Sequence, residues 1–340
     1  MRAALGTRYS AAVVRVEHRG RLAFERAFGR MRDDAPSPAC WVDTRFDIAS
    51  ITKVFVATVA LALIADGRVA LDAPLVALLP EWRSTEHAPI TLRQILAHVA
   101  GFKSGADYRA LLGTDVERFA LSEPLAAAPG TRVVYSDLGF IVLGTVIARA
   151  AGIPLARAVE NRLDAWGSHA TRFRPGPRER EAIPATETDA WRGRVQGRVH
   201  DEKAELMGGV AGHAGLFGPA SDVARLAEWY LAALHARPTP LREEIAREAV
   251  REAAFDPLLR RGLGWALKTR DDNSCGVRMS RASFGHTGFT GTCVWADPER
   301  DASVVFLTNN VHHGRTDLRE VRAAVCDAAI AALDAGADRC

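Results

Sequence analysis

Lysine is scarce in this 340-residue chain. Only Lys53, Lys103, Lys203 and Lys268 are found among 44 basic residues, the remainder being arginine. Arginine does not surrender its proton in a protein, whereas a lysine whose pKa is lowered can, so each lysine invites a chemical role. High arginine and alanine content is also what genomic base composition produces. Cysteine is sparse too. Cys40, Cys275, Cys293, Cys326 and Cys340 form no C-x-x-C pair and are odd in number. That argues against a zinc ribbon and a disulfide framework and fits a reducing compartment, with Cys293 and Cys326 expected as small buried core residues. No apolar run reaches membrane-spanning length. Met1 to Arg8 lacks the apolar core of a secretory signal. These absences point to a cytoplasmic chain with no membrane partner. The net charge of +3 is too balanced for a nucleic-acid partner. Also missing are G-x-S-x-G, H-E-x-x-H and G-x-x-x-x-G-K-[ST].

What is present is ordinary globular material, 48% hydrophobic and 25% charged, enough for one large domain or two lobes. Ala11 to Val16, a turn at Arg19-Gly20, and Leu22 to Phe28 predict a β-hairpin. Gly291 to Ala296 and Ala302 to Thr308, separated by Asp297-Pro298-Glu299-Arg300-Asp301, predict another. Val54 to Ala65 is almost wholly apolar and too long for a strand, so it predicts a buried helix ending at Asp66-Gly67. Helical spacing recurs in Leu92 to His98, Leu138 to Ala150, Asp222 to Leu234 (capped by Ser221-Asp222) and Thr316 to Leu333. Arg174 to Arg178 opens a polar loop, and Gly208 to Gly218 is another. The expected fold is α/β (α+β): an antiparallel sheet from both termini, flanked by helices, with a mostly helical lobe inserted. The expected division is residues 1–70 plus 220–340 for the sheet lobe and 71–219 for the helical lobe, with a site between them.

Ser50-Ile51-Thr52-Lys53 is the chain's single S-x-x-K. At i and i+3 of a helix the two side chains share a face. The serine would stand at a helix N-terminus, which favours negative charge. A desolvated lysine loses proton affinity and can accept the serine proton, leaving an alkoxide for acyl transfer. The bland alternative is a lysine that snorkels to solvent. Tyr135-Ser136-Asp137 precedes the second long apolar helix, offering either a second general base or a packed tyrosine beside an Asp cap. His286-Thr287-Gly288-Phe289 lies in a glycine-rich strand. Such a strand invites close approach of a ligand or backbone and can present an N–H to an oxyanion; otherwise it is a bulged edge strand with a satisfied histidine. His200 with Asp201, and His312-His313, read as surface loop histidines rather than metal ligands.

In this order the three motifs resemble those of the serine β-lactamase-like family, which includes class C β-lactamases, penicillin-binding proteins, D-aminopeptidases and esterases. Ser50 to Lys53 resembles S-x-x-K. Tyr135-Ser136-Asp137 resembles Y-x-N with Asp for Asn, and His286-Thr287-Gly288 resembles K-T-G with His for Lys. Ile90 to Gly101 and Asp66 to Leu75 resemble further stretches of the family, and the likeness spans about residues 10 to 335. Val199 to Glu202 and Gly208 to Gly215 resemble one branch without suggesting a role. The resemblance implies Ser50 as nucleophile, Lys53 as its base and Tyr135 as proton relay. It places Asp137, His286, Thr287, Gly288 and Phe289 at the substrate, with the N–H groups of Ser50 and Phe289 as oxyanion hole. It implies a hydrolase for small esters, peptides or β-lactams, with no metal and no cofactor. Asp137 in the amide position would hold Lys53 protonated, and His286 would weaken attraction to an anionic substrate. A non-catalytic ligand-binding sensor on the same fold is the alternative, and a mere scaffold a third.

Overall fold

The computed structural model describes residues 4–34 and 36–337; Cys340 and the first three residues lie outside them. A seven-stranded sheet carries the molecule. Its order is Arg21–Gly29, Ala11–His18, Ala302–Thr308, Cys293–Asp297, Phe284–Thr287, Ala266–Leu267 and Arg260–Arg261, every neighbouring pair antiparallel. Both expected hairpins are present, and they join across Ala11–His18 and Ala302–Thr308, with Val14 opposite Phe306. The two outermost strands on the far edge are two residues each, too short for an alternating pattern to announce them.

The sheet is covered on both faces, which is why Ala11 to Val14 is continuously apolar rather than alternating. Val13, Val294, Val305 and Leu307 belong to one core, with Val54, Leu61, Leu226 and Tyr230 from the helices Ile51–Ala65 and Ala220–Leu234. Val14, Trp295, Val304 and Phe306 face the other way, onto Leu318, Val325, Cys326 and Ile330 around the terminal helix Arg319–Ala337. Side chains two apart share a face, so one strand feeds two cores. Cys293 and Cys326 sit buried in the second core, as expected.

Inserted between the terminal strands are the helices Leu92–Leu96, Asp137–Ala151 and Leu155–Ala165 and two small sheets. Three local expectations need correction. The Ala220–Leu234 helix begins after Pro219, not at a Ser221-Asp222 cap. The Asp222 carboxylate instead accepts the N–H groups of Ala170 and Thr171 and the Thr171 hydroxyl. The helix predicted to run to His98 starts at a Thr91–Gln94 capping box and stops at Leu96, because His98 takes a left-handed φ of +58° that no helix continues through. His200 is buried, with Nε2 2.9 Å from Glu187 and its ring stacked on Phe289; His312 and His313 are half-buried beside Asp33. Among the described residues no single helix is long and apolar enough to cross a membrane.

Candidate active site

Ser50 takes the N-cap position of the Ile51–Ala65 helix, yet its hydroxyl makes no cap hydrogen bond. It accepts one instead from Lys53 Nζ at 3.0 Å. The backbone that delivers it is strained: Ala49 has φ +46°, a left-handed conformation that non-glycine residues seldom take. Buried Asp47 holds that turn, Oδ1 accepting the Ala49 N–H at 2.8 Å and Oδ2 the His200 N–H at 2.7 Å. Asp47 itself lies on a short strand paired with Leu216–Gly218.

Lys53 is fully buried and sits 2.8 Å from Asp137. Burial works to depress its pKa, as the sequence suggests, but the charge of Asp137, then Tyr135, and hydrogen bonds to both outweigh it. The net direction is upward, so the resting group is an ammonium ion. It also donates to the His213 carbonyl at 3.1 Å. That carbonyl arrives on the glycine-rich stretch with no evident role in sequence: a Cβ on Gly212 would meet the Phe140 carbonyl at 2.0 Å, so only glycine lets the loop lie against the Asp137–Ala151 helix.

A second lysine converges on Asp137. Lys203 Nζ is 3.3 Å from it and 3.2 Å from Asp201, and His213 Nε2 is 2.7 Å from Asp201. Burial works to raise the Asp201 carboxyl, but His213 and Lys203 outweigh it and hold it well below the ordinary range. Asp137, Asp201 and His213 offer ligand atoms within 4.8 Å of one another. The two ammonium ions already sit among these carboxylates, so the donors act as an ion-pair network, not a cation cradle. Of this network the sequence singles out Lys53 and Asp137 by motif and Lys203 by the scarcity of lysine; Asp201 stands out there only beside His200.

Tyr135 lies between two cations: Lys53 Nζ is 5.0 Å and the Arg261 guanidinium 5.2 Å from its ring centre. His98 packs against it, ring centres 4.6 Å apart and planes tilted by 36°, and accepts the Ser136 N–H through Nδ1 at 3.0 Å. Across the cleft, His286 Nδ1–H donates to the Thr287 carbonyl at 2.8 Å. Nε2 is therefore the unprotonated nitrogen, buried without a partner. Burial, then Lys53 and Arg261, pushes this imidazole down to about 3, so it is neutral near pH 7. The strand Phe284–Thr287 is not an edge at its start, but its outer neighbour pairs only with Phe284 and Gly285. From His286 onward it faces the cleft.

Gly288 explains the glycine in this strand. A Cβ there would meet Thr292 Oγ1 at 2.1 Å and the Ile48 carbonyl at 2.7 Å. The turn that carries Ser50 is pressed against this segment and pinned to it, Thr290 Oγ1 donating to the Asp47 carbonyl at 2.8 Å and Thr292 Oγ1 to the Ile48 carbonyl at 3.2 Å. The N–H groups of Ser50 and Phe289 donate to no carbonyl among the described residues. Arg322, on the terminal helix, donates through Nη2 to the Gly288 carbonyl at 2.7 Å and so fixes the peptide whose N–H belongs to Phe289. Ser50, Tyr135, His286, Thr287, Gly288 and Phe289 line one cleft of about 710 Å³, within the range of small-molecule sites; Lys53 and Asp137 lie beneath it.

The sequence pattern of the beta-lactamase family matches residues 2–327. Esterase EstB of Burkholderia gladioli is 30% identical over 345 aligned positions, covering 89% of this chain and 86% of that one. Two solved structures share the fold. EstCE1, a hydrolase with promiscuous acyltransferase activity, has a TM-score of 0.79 at 21% identity, covering 95% of this chain and 94% of that one. A beta-lactamase/D-alanine carboxypeptidase from Pseudomonas syringae has 0.77 at 18%, covering 97% and 96%.

Proposed function

We propose, on the premise that this chain belongs to the beta-lactamase family and is a serine hydrolase working through an acyl-enzyme, that its preferred substrates are small esters cleaved at Ser50. Peptide and β-lactam amides are slower substrates in this reading. The observation that carries it is the Ser50 hydroxyl, free of any capping duty and hydrogen-bonded to Lys53 at the floor of the cleft. The esterase-named relative, matched over most of both chains, supports ester turnover. In this reading residues 1–70 with 220–340, and 71–219, are the two walls of the cleft.

Each residue then has a task. The substrate carbonyl oxygen lies between the Ser50 and Phe289 N–H groups, which stabilise the negative charge that develops there. Lys53 begins as an ammonium ion and takes the Ser50 proton only after passing one of its own to a neighbour; Asp137 and Tyr135 both hydrogen-bond to it. The serine oxygen bonds to the carbonyl carbon as the ester C–O bond breaks. Tyr135 relays the proton to the departing oxygen, and water repeats the sequence to free the acid. Asp137 tunes Lys53 rather than touching substrate. Neutral His286, with Thr287, supplies polar contacts without charge.

The test is a fluorophosphonate adduct mapped by mass spectrometry, with nitrophenyl-ester turnover in wild type and Ser50→Ala. Label on Ser50 and turnover lost in the variant are expected. Label elsewhere, or turnover that survives Ser50→Ala, refutes the reading; label without turnover would favour the sensor alternative.

A further inference from the structure

The site carries a carboxylate where its motif expects an amide, and beside it a lysine that no motif accounts for. Asp137 Oδ1 lies 2.8 Å from Lys53 and Oδ2 3.3 Å from Lys203, so two ammonium ions share one carboxylate. Lys203 in turn lies 3.2 Å from Asp201 Oδ2. Asp201 is itself held through Oδ1, which accepts the Ala204 N–H at 2.8 Å and lies 2.7 Å from His213 Nε2. Charges thus alternate along a row of Lys53, Asp137, Lys203 and Asp201. Lys203 does not line the cleft. A second cavity of about 410 Å³ reaches it, and the other charged groups there are engaged elsewhere. Glu187 and Glu202 bind Arg315, Asp189 binds Arg192, and Asp107 lies 3.5 Å from Arg109.

A carboxylate in contact with an ammonium ion stabilises it, and Asp137 acting alone would keep Lys53 from giving up a proton near neutral pH. A second cation on the same carboxylate works against this. It offsets the field of Asp137 and repels the proton that Lys53 and Asp137 share. Burial, the largest influence on Lys203, works to strip its own proton, but Asp201 and Asp137 outweigh it and keep it charged. The other groups that face Lys53 are Tyr135, with Arg261 on that ring, and the imidazoles of His98 and His286. None of them contacts Asp137 among the described residues, and Lys203 does. We infer that Lys203 is a positioning residue of the reaction: its charge neutralises Asp137, so that Lys53 can serve as a base beside a carboxylate. The inference rests on the reading of Ser50 and Lys53 as the reacting pair and adds the residue that makes acid in place of amide workable there.

The test is the pH dependence of kcat/KM for nitrophenyl acetate, whose rising limb reports the base of the free enzyme, read beside the pH dependence of fluorophosphonate labelling at Ser50. Lys203→Met should move both limbs up by about one pH unit, because a neighbouring positive charge is lost. Lys203→Arg keeps the charge and should leave both limbs near the wild-type position. The double variant of Asp137→Asn and Lys203→Met loses one charge of each sign, so its limbs should fall between those of the two single variants, close to wild type. A Lys203 that merely holds the loop in place predicts lost stability and kcat with unmoved limbs, and no restoration by Asp137→Asn. If Lys203→Met does not fold, the double variant is compared with Asp137→Asn alone, and its limbs must lie about one pH unit higher. Limbs that stay in place in Lys203→Met, or that coincide in Asp137→Asn and the double variant, overturn the inference. Label at Ser50 with unmoved limbs overturns the role of Lys203 alone, whereas absence of label at Ser50 overturns the reading of the site with it.

Discussion

A single residue decides what kind of base this site holds. Asp137 stands 2.8 Å from Lys53 and, with Tyr135, reverses the effect of burial on the lysine. Replacing it by Asn keeps the shape and removes the charge. Burial then acts with less opposition and the Lys53 pKa must fall. The expected outcome for Asp137→Asn is that the rising limb of the pH–rate profile for ester hydrolysis, where Lys53 becomes a free base, moves down by at least about one pH unit. An unmoved limb would show that Lys53 titration does not govern the rate. His286 makes a separate pH prediction. Its folded pKa is depressed to about 3 from 6.5 by burial, Lys53 and Arg261, so the unfolded chain binds the extra proton first. Stability from the neutral ring is complete above about pH 6.5 and is lost as pH falls through the window toward 3. His98, shifted the same way, adds to that slope. Denaturant unfolding at pH 7, 5.5 and 4.5 should show a steady decline, shallower in His286→Asn; equal slopes in the two proteins would contradict the buried neutral imidazole.

Elements set how far apart in the chain the parts of one site can lie. The Ile51–Ala65 helix carries Ser50 and Lys53 one turn apart, and this pair is legible in sequence because the geometry is local. Tyr135 and Asp137 are legible as the approach to a second apolar helix. The strand Phe284–Thr287 is legible through Gly285 and the Gly288 that follows it: Trp295 and the Val294 carbonyl crowd the first, Ile48 and Ala49 the second. Lys203, Asp201 and His213 escape a motif search because the helix Glu202–Leu206 that carries Lys203, with Asp201 as its cap, is too short to show a period, and His213 sits in an irregular segment. The scarcity of lysine flagged Lys203, but only the fold shows that it meets Asp137. Arg261 and Arg322 are hidden for the opposite reason: in an arginine-rich chain no single arginine stands out. Arg322 illustrates how the terminal helix reaches the chemistry. Its guanidinium holds the Gly288 carbonyl and thereby the direction of the Phe289 N–H. Removing one oxyanion donor from a hydrolase lowers kcat by about 10²–10³-fold, and a misdirected donor should lose part of that. Arg322→Met should therefore lower kcat about 10-fold or more with KM little changed, and the acyl-enzyme carbonyl stretch should move to higher wavenumber. Restoration of both by Arg322→Lys would assign the effect to the hydrogen bond; a rise in KM alone would assign it to general loosening.

At the scale of the whole molecule, the sheet separates two cores with different duties. The face shared with the Ile51–Ala65 helix anchors Ser50, and its residues touch the elements that frame the cleft. The opposite face, covered by the Arg319–Ala337 helix, contributes Arg322 to the site, and its Ala266, Trp295 and Leu318 line the same cleft. This division explains why both chain termini must fold before a site can exist: Ala11–His18 and Ala302–Thr308 are neighbours at the centre of the sheet, joined by contacts of very large sequence separation. It also predicts that stability and catalysis can be separated. Phe306 is fully buried in the second core, edge-on to Tyr9 at 5.7 Å, and does not itself line the cleft. Phe306→Ala removes a large side chain from close-packed surroundings and should cost about 3–5 kcal/mol. The loss should appear in denaturant midpoint and Tm, while kcat per folded molecule at 25 °C stays within about twofold of wild type. The same truncation in the first core, Phe140→Ala, should act differently, because the Phe140 ring lies 5.0 Å from that of His98 and 5.9 Å from Lys53 Nζ. There stability and kcat should fall together. If Phe306→Ala also lowered kcat in proportion to its stability loss, the two faces would be one cooperative unit through the sheet, and the geometry of the cleft would depend on packing a full layer away.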